Sequence, residues 1–356
     1  MKKAIANFKG PLFMAMTIAN LTASAQQNHY LDNRPSTTLR MPCTDAGVVL
    51  KYGDGPDSCD TYGAREAVVN KVGNTYYLFY DGAGKTGWLS CLATSNDLQT
   101  WTKKGAILTL GDSTKNDSKS ASSPWVVQDG GTWHMFYLGT PHTTPAPYRI
   151  PSFPYLTMKA QSQRLEGPWV KQYSVTPLPP KGNSYYTVTS SPGFIVKTPN
   201  EYVMFFSGAT LTDGITRRTL GIARTKDLNA SWVMGEQPIV PLTEQVENSS
   251  VYFEPTTGTW FLFTNHIGIT KKDGEYTDAV WVYWSKDLYY WDTKHKAVVL
   301  DGKNCTWAKG AIGMPSVIPY GNRLALLYDA PGGTSTSHML RNIGLAWLDL
   351  PLKTPQ

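Results

Sequence analysis

Carboxylate side chains at the starts of apolar segments are the residues of this chain best suited to chemistry. Glu66 follows Arg65 in front of one apolar segment, and Glu247 precedes another segment much further along the chain. Two carboxyl groups that face each other across a cleft can donate and accept protons at a bond held between them. The pair Glu66 and Glu247 therefore indicates acid–base chemistry, with Glu247 as the acid and Glu66 as the base.

Further polar and aromatic residues occupy comparable positions. His266 ends the segment Phe263-Thr264-Asn265-His266 and is a candidate to orient the substrate or to share the acid role. Asp60 is the reserve base. The remaining candidates, which we expect to bind substrate, are Arg65, Trp125, Asp278, Asp329 and Arg341. Structural roles stay open beside these, because Glu66 could simply pair with Arg65 and Glu247 could cap a turn.

The elements that carry these residues form an internal repeat. Each copy has a short apolar strand, a turn such as Val72-Gly73-Asn74, and an aromatic strand such as Tyr76-Tyr77-Leu78-Phe79-Tyr80. A further strand follows, often ending in an S-x-D-L…W turn, as at residues 95–101. The copies begin at Glu66, Pro124, Pro192, Ser249 and Pro315.

Five copies without a helical period predict an all-β fold, a five-bladed β-propeller with four-stranded blades. The last copy lacks a fourth strand, and the isolated strand at residues 47–51 is expected to supply it. In such a fold the starts of first strands and the ends of second strands meet at one funnel. We expect a single catalytic domain over residues 26–356.

The N-terminus and the composition limit the functional classes. Residues 1–25 combine Lys2, Lys3 and Lys9 with an apolar run that ends in Ala23-Ser24-Ala25, the pattern of a secretory signal peptide. Its removal lowers the formal charge from +6 to +3, so nucleic acid is not an expected partner. The apolar run is too short to span a membrane. The mature protein is expected to be periplasmic or extracellular, and monomeric.

Four cysteines do not make a disulfide scaffold. Cys91 lies in a predicted strand and is expected to be a core thiol, whereas Cys43 and Cys59 could pair. No spacing of ligands indicates a bound metal, and no cofactor is expected, although a structural calcium ion in the channel stays open.

The strand openings, the aromatic strand and the S-x-D-L…W turn resemble the five-bladed propeller glycoside hydrolases, family 43 and its relatives. That resemblance implies an aspartate base in R-D-P-x-V and a glutamate acid in E-x-P-x-V. Here the corresponding segments read Ala64-Arg65-Glu66-Ala67-Val68 and Glu247-Asn248-Ser249-Ser250-Val251, the latter in the fourth copy. The second and third copies carry serines there, so the resemblance implies a divergent member with another carboxylate pair or a histidine acid.

The resemblance implies a glycosidase that acts with inversion, and the signal peptide predicts that it is exported. A funnel at the end of a channel favours exo-action, the removal of a terminal sugar from a plant or algal carbohydrate. Two alternatives remain open: a carbohydrate-binding propeller without turnover, and a glycoside phosphorylase that holds phosphate at Arg217-Arg218 or Lys271-Lys272. A one-residue ambiguity also remains, because alternation along a strand would send Arg65 and Glu66 to opposite faces.

Overall fold

The computed structural model describes residues 34–270 and 274–356. The predicted signal peptide, residues 1–25, lies outside these ranges, as do Lys271 and Lys272. Within them the chain is β-structure with two single-turn 3-10 helices, η1 (Pro56–Ser58) and η2 (Leu242–Glu244). The strands are, in chain order, β1 (Thr44–Leu50), β2 (Ala64–Val72), β3 (Thr75–Ala83), β4 (Trp88–Ser95), β5 (Thr102–Ala106), β6 (Ser120–Asp129), β7 (Thr132–Thr140), β8 (Leu156–Ser162), β9 (Val170–Lys171), β10 (Thr189–Lys197), β11 (Tyr202–Thr212), β12 (Ile215–Thr225), β13 (Val233–Met234), β14 (Val246–Glu254), β15 (Thr259–Thr270), β16 (Gly274–Ser285), β17 (Lys296–Asp301), β18 (Ser316–Tyr320), β19 (Arg323–Ala330) and β20 (Asn342–Asp349).

The described strands form antiparallel units of four neighbours, as the repeat predicts. Unit one is β2-β3-β4-β5, unit two is β6-β7-β8-β9, unit three is β10-β11-β12-β13 and unit four is β14-β15-β16-β17. Unit five is β18-β19-β20-β1. A short parallel contact between β4 and β6, at Trp88 and Ser120, joins units one and two.

Strand β1 completes unit five from the other end of the chain. It pairs antiparallel with β20, with Thr44 opposite Trp347 and Leu50 opposite Ile343. The prediction that the N-terminal strand supplies the missing fourth strand is therefore confirmed. This pairing covers what would otherwise be an open sheet edge.

The aromatic second strands are buried on both faces because each unit packs between two others. In β3, Leu78 belongs to the core shared with unit five, and its neighbour Phe79 belongs to the core shared with unit two. In β11, Phe205 packs towards unit four and Phe206 towards unit two. Side chains alternate across a strand, so an unbroken apolar run serves two interfaces at once.

The first strands contact one another in cyclic order, β2 with β6, β6 with β10, β10 with β14, β14 with β18, and β18 with β2. Serine hydroxyls of β14 accept hydrogen bonds from the first strands on either side of it: Phe194 N donates to Ser249 Oγ at 3.1 Å and Val317 N to Ser250 Oγ at 3.0 Å. Val69 N donates to Ser316 Oγ at 3.0 Å, which links unit one to unit five. These hydrogen bonds satisfy backbone N–H groups of the first strands that have no partner within their own sheet.

All four cysteines, which lie within the described ranges, are free thiols. The pairing of Cys43 with Cys59 considered from the sequence is not formed, and Cys91 is a fully buried core residue as expected. In the part of the chain that the structure describes, no helix has the length and apolarity needed to cross a bilayer.

Candidate active site

A cavity of about 300 Å³ lies where the first strands begin. Its lining comes from the starts of β2, β6, β10 and β14, from the ends of β3, β7 and β11, and from the loop at residues 141–155. Glu66 and Glu247 both line it. The prediction that these strand ends converge on one funnel is confirmed, and it brings two carboxylates from different units together.

A repeated backbone distortion presents the polar side chains. The ladder of each first strand named here has a bulge, between Arg65 and Val68 in unit one and between Glu247 and Ser250 in unit four. Glu66 has φ 52° and Asn248 has φ 66°, the left-handed region that non-glycine residues rarely adopt. The bulge breaks the alternation of side chains, so Arg65 and Glu66 both line the cavity. The one-residue ambiguity of the sequence is thereby removed.

Glu66 is held from three sides. Its backbone N–H donates to Asp329 Oδ2 at 2.8 Å, and the hydroxyl of Ser123 donates to its Oε2 at 2.6 Å. Arg65 Nη2 lies 3.6 Å from Glu66 Oε1, and the Glu66 side chain is 22% exposed. A hydroxyl donor and a nearby guanidinium both stabilise an ionised carboxylate.

Asp81, near the end of β3, also lines the cavity, and it contacts Ser123, the residue that donates to Glu66. It is buried, and its Oδ1 accepts the backbone N–H of Ser123 while its Oδ2 lies 3.2 Å from Ser123 Oγ. Burial, together with the negative charge of Glu66, raises the pKa of Asp81 well above its usual range. From the sequence, Asp81 is a secondary candidate at the rim of the funnel, and a structural role stayed open for it because Asp before Gly is a common turn signal.

Glu247 forms an ion pair with Arg218 of β12, through its Oε1. The Arg218 guanidinium also lies over the ring of Phe153, 5.1 Å from its centroid. Phe153 belongs to the loop at residues 141–155, so this loop, unit three and unit four meet at Glu247. A guanidinium in contact with a carboxylate favours the ionised form.

A buried ion pair of Arg341 with Asp329 lies next to Glu66, because Asp329 also accepts the Glu66 backbone N–H. Arg341 Nη1 donates to Asp329 Oδ1 at 2.6 Å, and both side chains are almost completely buried. Burial opposes ionisation of Asp329, but Arg341 and Arg65 outweigh it and hold the pKa of Asp329 below its usual value. Arg341 lines the cavity, whereas Asp329 lies behind the lining. Arg65 itself lies over Trp88, 5.2 Å from the ring centroid, and contacts His338 Nδ1 at 3.4 Å.

His266 and Asp278, two predicted site residues, are not part of the cavity lining. His266 is fully buried inside unit four, with Nε2 2.9 Å from Tyr283 Oη and its ring centroid 4.0 Å from that of Trp281. Burial lowers the pKa of His266 well below its usual range, so it is neutral. Asp278 Oδ2 lies 3.9 Å from Arg34 Nη2.

Asp60 belongs to a structural cluster that recurs from unit to unit. Its Oδ2 contacts Lys103 Nζ at 2.5 Å and Tyr80 Oη at 3.4 Å. Equivalent clusters join a carboxylate, a tyrosine and a lysine elsewhere, namely Asp117, Tyr137 and Lys171 in unit two, and Glu244, Tyr283 and Lys296 in unit four. Asp60 precedes Tyr80 by 20 residues, as Asp117 precedes Tyr137. The recurrence in step with the fold indicates an architectural role for Asp60, which does not line the cavity.

The aromatic wall differs in part from the sequence interpretation. Trp125 lines the cavity as expected. Trp88, Phe153, Tyr155 and Tyr276 also line it, but they lie near strand ends or in the long loop and carried no repeated signal. Within residues 34–270 and 274–356, no group of three or more His, Cys, Asp or Glu side chains is arranged to hold a metal ion.

Comparison with known proteins identifies relatives over a limited stretch. No family model matches the chain. The probable arabinan endo-1,5-α-L-arabinosidases A of Aspergillus flavus and Aspergillus oryzae are each 32% identical over 106 residues. This segment is 29% of the present chain and 32% of the relative, so the match spans about a third of these curated proteins.

Solved structures are similar over most of the chain. A family 117 glycoside hydrolase of the marine bacterium Zobellia galactanivorans has a TM-score of 0.60 at 14% identity, covering 85% of this chain and 90% of that one. The catalytic domain of a family 62 α-L-arabinofuranosidase of Coprinopsis cinerea has a TM-score of 0.59 at 12% identity, covering 86% and 96%. An exo-1,5-α-L-arabinanase from a bovine ruminal metagenomic library has a TM-score of 0.56 at 14% identity, covering 81% and 94%. The resemblance drawn from the sequence is confirmed at the level of fold: the chain has the all-β fold of the propeller glycoside hydrolases.

Proposed function

We propose that this protein is a glycoside hydrolase in which Glu66 is the general base and Glu247 the general acid. The observation that carries the proposal is that these two carboxylates, from units one and four, line one cavity with aromatic walls. Cleavage of a glycosidic bond needs one carboxyl group to protonate the leaving oxygen and another to activate water. Ser123 and Arg65 favour an ionised Glu66, which suits a base.

We further propose that the units form a closed, five-bladed β-propeller that makes up a single domain. The cyclic contacts of the first strands support closure, and so does the pairing of β1 with β20. An exported protein with residues 1–25 removed fits an enzyme that meets its carbohydrate outside the cytoplasm. Monomeric behaviour is part of the same proposal.

The proposed substrate is an arabinose-containing plant oligosaccharide, with algal oligosaccharides as the next class. The identity to arabinan arabinosidases over 106 residues supports this choice. The cavity volume, about 300 Å³, lies at the lower end for ligand sites and suits one or two sugar rings. We therefore propose removal of a terminal residue, with inversion of configuration as the propeller resemblance implies.

The ion pair of Glu247 with Arg218 has a consequence for the proposed acid. A carboxylate in contact with a guanidinium takes up a proton only at lower pH, or when the contact is lost. Catalysis by Glu247 therefore requires acidic conditions or a substrate that draws Arg218 away. The contact with Arg218 therefore bears directly on the protonation of Glu247.

The test is an activity assay on 1,5-linked arabino-oligosaccharides, with the anomer of the first product read by NMR. Glu247→Gln is then compared on two substrates, a natural oligosaccharide and an aryl α-L-arabinofuranoside whose phenol leaves without protonation. We expect a loss of roughly two to four orders of magnitude on the first and a much smaller loss on the second. Glu236→Gln is the matched control, because Glu236 is an exposed surface residue, its side chain 81% exposed.

Each failure has a distinct meaning. No sugar release from any plant or algal oligosaccharide by the wild-type protein would reject the hydrolase. Equal losses on both substrates, with the Glu247→Gln variant rescued by azide, would make Glu247 the base instead of the acid. Release that depends on added phosphate would establish a phosphorylase.

A second candidate function is carbohydrate binding without turnover, and the Arg218 contact favours it. A permanently ionised Glu247 would be an acceptor for sugar hydroxyls and could not protonate a leaving group. Calorimetric binding of an oligosaccharide that the wild-type protein leaves intact across the acidic pH range would support this alternative.

A further inference from the structure

The hydroxyl of Ser123 lies between two carboxyl groups. Ser123 Oγ is 2.6 Å from Glu66 Oε2 and 3.2 Å from Asp81 Oδ2. The backbone N–H of the same residue donates to the other oxygen of Asp81. Ser123 has φ 49°, the same left-handed conformation as Glu66 in the neighbouring first strand. The ladder of β6 has a bulge between Ser122 and Trp125, and there the hydroxyl and the amide of Ser123 both face unit one.

The number of protons that Ser123, Glu66 and Asp81 share limits the charge that the two carboxyl groups can carry. A serine hydroxyl carries one proton, and an ionised carboxylate can only accept hydrogen bonds. Ser123 can donate to one of the two carboxyl groups, and the other contact is a hydrogen bond only if that carboxyl group itself carries a proton. A proton on Glu66 or Asp81, in addition to the hydroxyl proton, is therefore what makes each of the two contacts a full two-centre hydrogen bond.

The surroundings decide which carboxyl group carries the proton. The distance of 2.6 Å from Ser123 to Glu66 is typical of a hydroxyl donating to a charged oxygen. Glu66 is partly exposed and close to Arg65, whereas Asp81 is 2% exposed and, among the described residues, forms no ion pair. Ionising both groups would place two negative charges beside one hydroxyl.

We propose that Asp81 is a neutral carboxylic acid at neutral pH, and that it acts through Ser123 to hold Glu66 ionised and correctly oriented. This inference rests on the proposed function, in which Glu66 is the base. Asp81 donates to Ser123, and Ser123 donates to Glu66. The charged or titratable groups that face this chain of hydrogen bonds are Arg65, Cys91, Asp329, His338 and Arg341.

Asp81 and Ser123 are positioning residues, because neither accepts the proton of the attacking water. Asp329 accepts the Glu66 backbone N–H and Ser123 donates to Oε2, so both the backbone and the side chain of Glu66 are held. Losing the hydroxyl would leave Glu66 Oε2 without its donor, which favours the protonated form of Glu66. The effect would therefore fall on the pH dependence of turnover and on kcat, with KM changing much less.

The first experiment needs no activity. Infrared spectra of the wild-type protein at pH 7 should contain the carbonyl band of a buried, protonated carboxylic acid, and Asp81→Asn should remove it. Asp117→Asn is the matched control, since Asp117 is equally buried but is paired with Lys171 at 2.6 Å. That variant should keep the band. Absence of the band from the folded wild-type protein would overturn the inference whatever the outcome of the sugar assays.

The second experiment uses the pH profile of kcat/KM. Asn has the shape and the donor of a neutral Asp, so Asp81→Asn should leave the acid limb within about 0.3 pH units, because no charge is lost. Ser123→Ala should move the acid limb upward by roughly 1 pH unit and lower kcat. A downward shift of about 1 unit or more in Asp81→Asn would mean that a negative charge had been removed, and would refute the neutral assignment. An unchanged limb in Ser123→Ala would refute the role of the hydroxyl.

Discussion

Arg218 forms an ion pair with Glu247, the proposed acid. Replacing it with Met keeps the length and removes the charge, so the proposed acid should stay protonated to higher pH. We expect the basic limb of the kcat/KM profile of Arg218→Met to rise by about 1 pH unit or more. Arg224→Met is the matched control, because Arg224 pairs with Glu201 at 3.8 Å on the surface. A limb that does not move would contradict the assignment of Glu247 as the acid.

His266 gives a test of stability rather than of activity. Its pKa is well below the usual value in the folded protein and about 6.5 when unfolded. As the pH falls below about 6.5, the unfolded chain binds the proton and the folded protein does not, so stability is lost. The difference in free energy of unfolding between wild type and His266→Gln should therefore shrink by about 1–3 kcal/mol between pH 7.5 and pH 4.5. Urea titrations that show a constant difference would contradict a neutral, buried His266.

At the scale of elements, the clusters of carboxylate, tyrosine and lysine tie the start of a unit to its outer strand. Asp60→Asn should remove about 3 kcal/mol of stability, because it takes the buried carboxylate partner away from Lys103, whose side chain is itself largely buried. Turnover per folded molecule should be unchanged, since Asp60 does not line the cavity. Asp54 contacts the same lysine from the surface, and its side chain is 79% exposed. The control variant Asp54→Asn should therefore lower the free energy of unfolding only slightly. A selective loss of kcat in Asp60→Asn, at full folding, would return Asp60 to the catalytic candidates.

At the scale of the whole molecule, β1 joins the two ends of the described chain. Leu50 is 3% exposed and packs in the core between units five and one. Leu50→Ala should destabilise the protein by about 2–4 kcal/mol. Val72→Ala, at a position 44% exposed, is the control and should change stability by less than about 0.5 kcal/mol. Equal denaturation midpoints for the two variants would mean that the closing strand contributes little to stability.

The repeat and its strands could be predicted from the sequence because their causes are local. Turn residues, apolar runs and the aromatic second strands act within a few positions of one another. The same reasoning predicted that first-strand openings form the site, and it selected Glu66, Glu247, Arg65, Trp125 and Arg341, all of which line the cavity. His266, Asp60, Asp278 and Asp329 were selected on the same grounds and do not line it.

Only the tertiary structure decided which groups act on those carboxylates. Asp81 contacts Glu66 through a serine of the next unit, and Arg218 reaches Glu247 from unit three. The bulge at φ 52° sends Glu66 and its neighbour Arg65 into one cavity, against the simple alternation of a strand. The charge state of a carboxyl group is set by burial and by partners brought from distant segments. The sequence therefore determined where the acids stand along the chain, and the packing of units determined how they are paired.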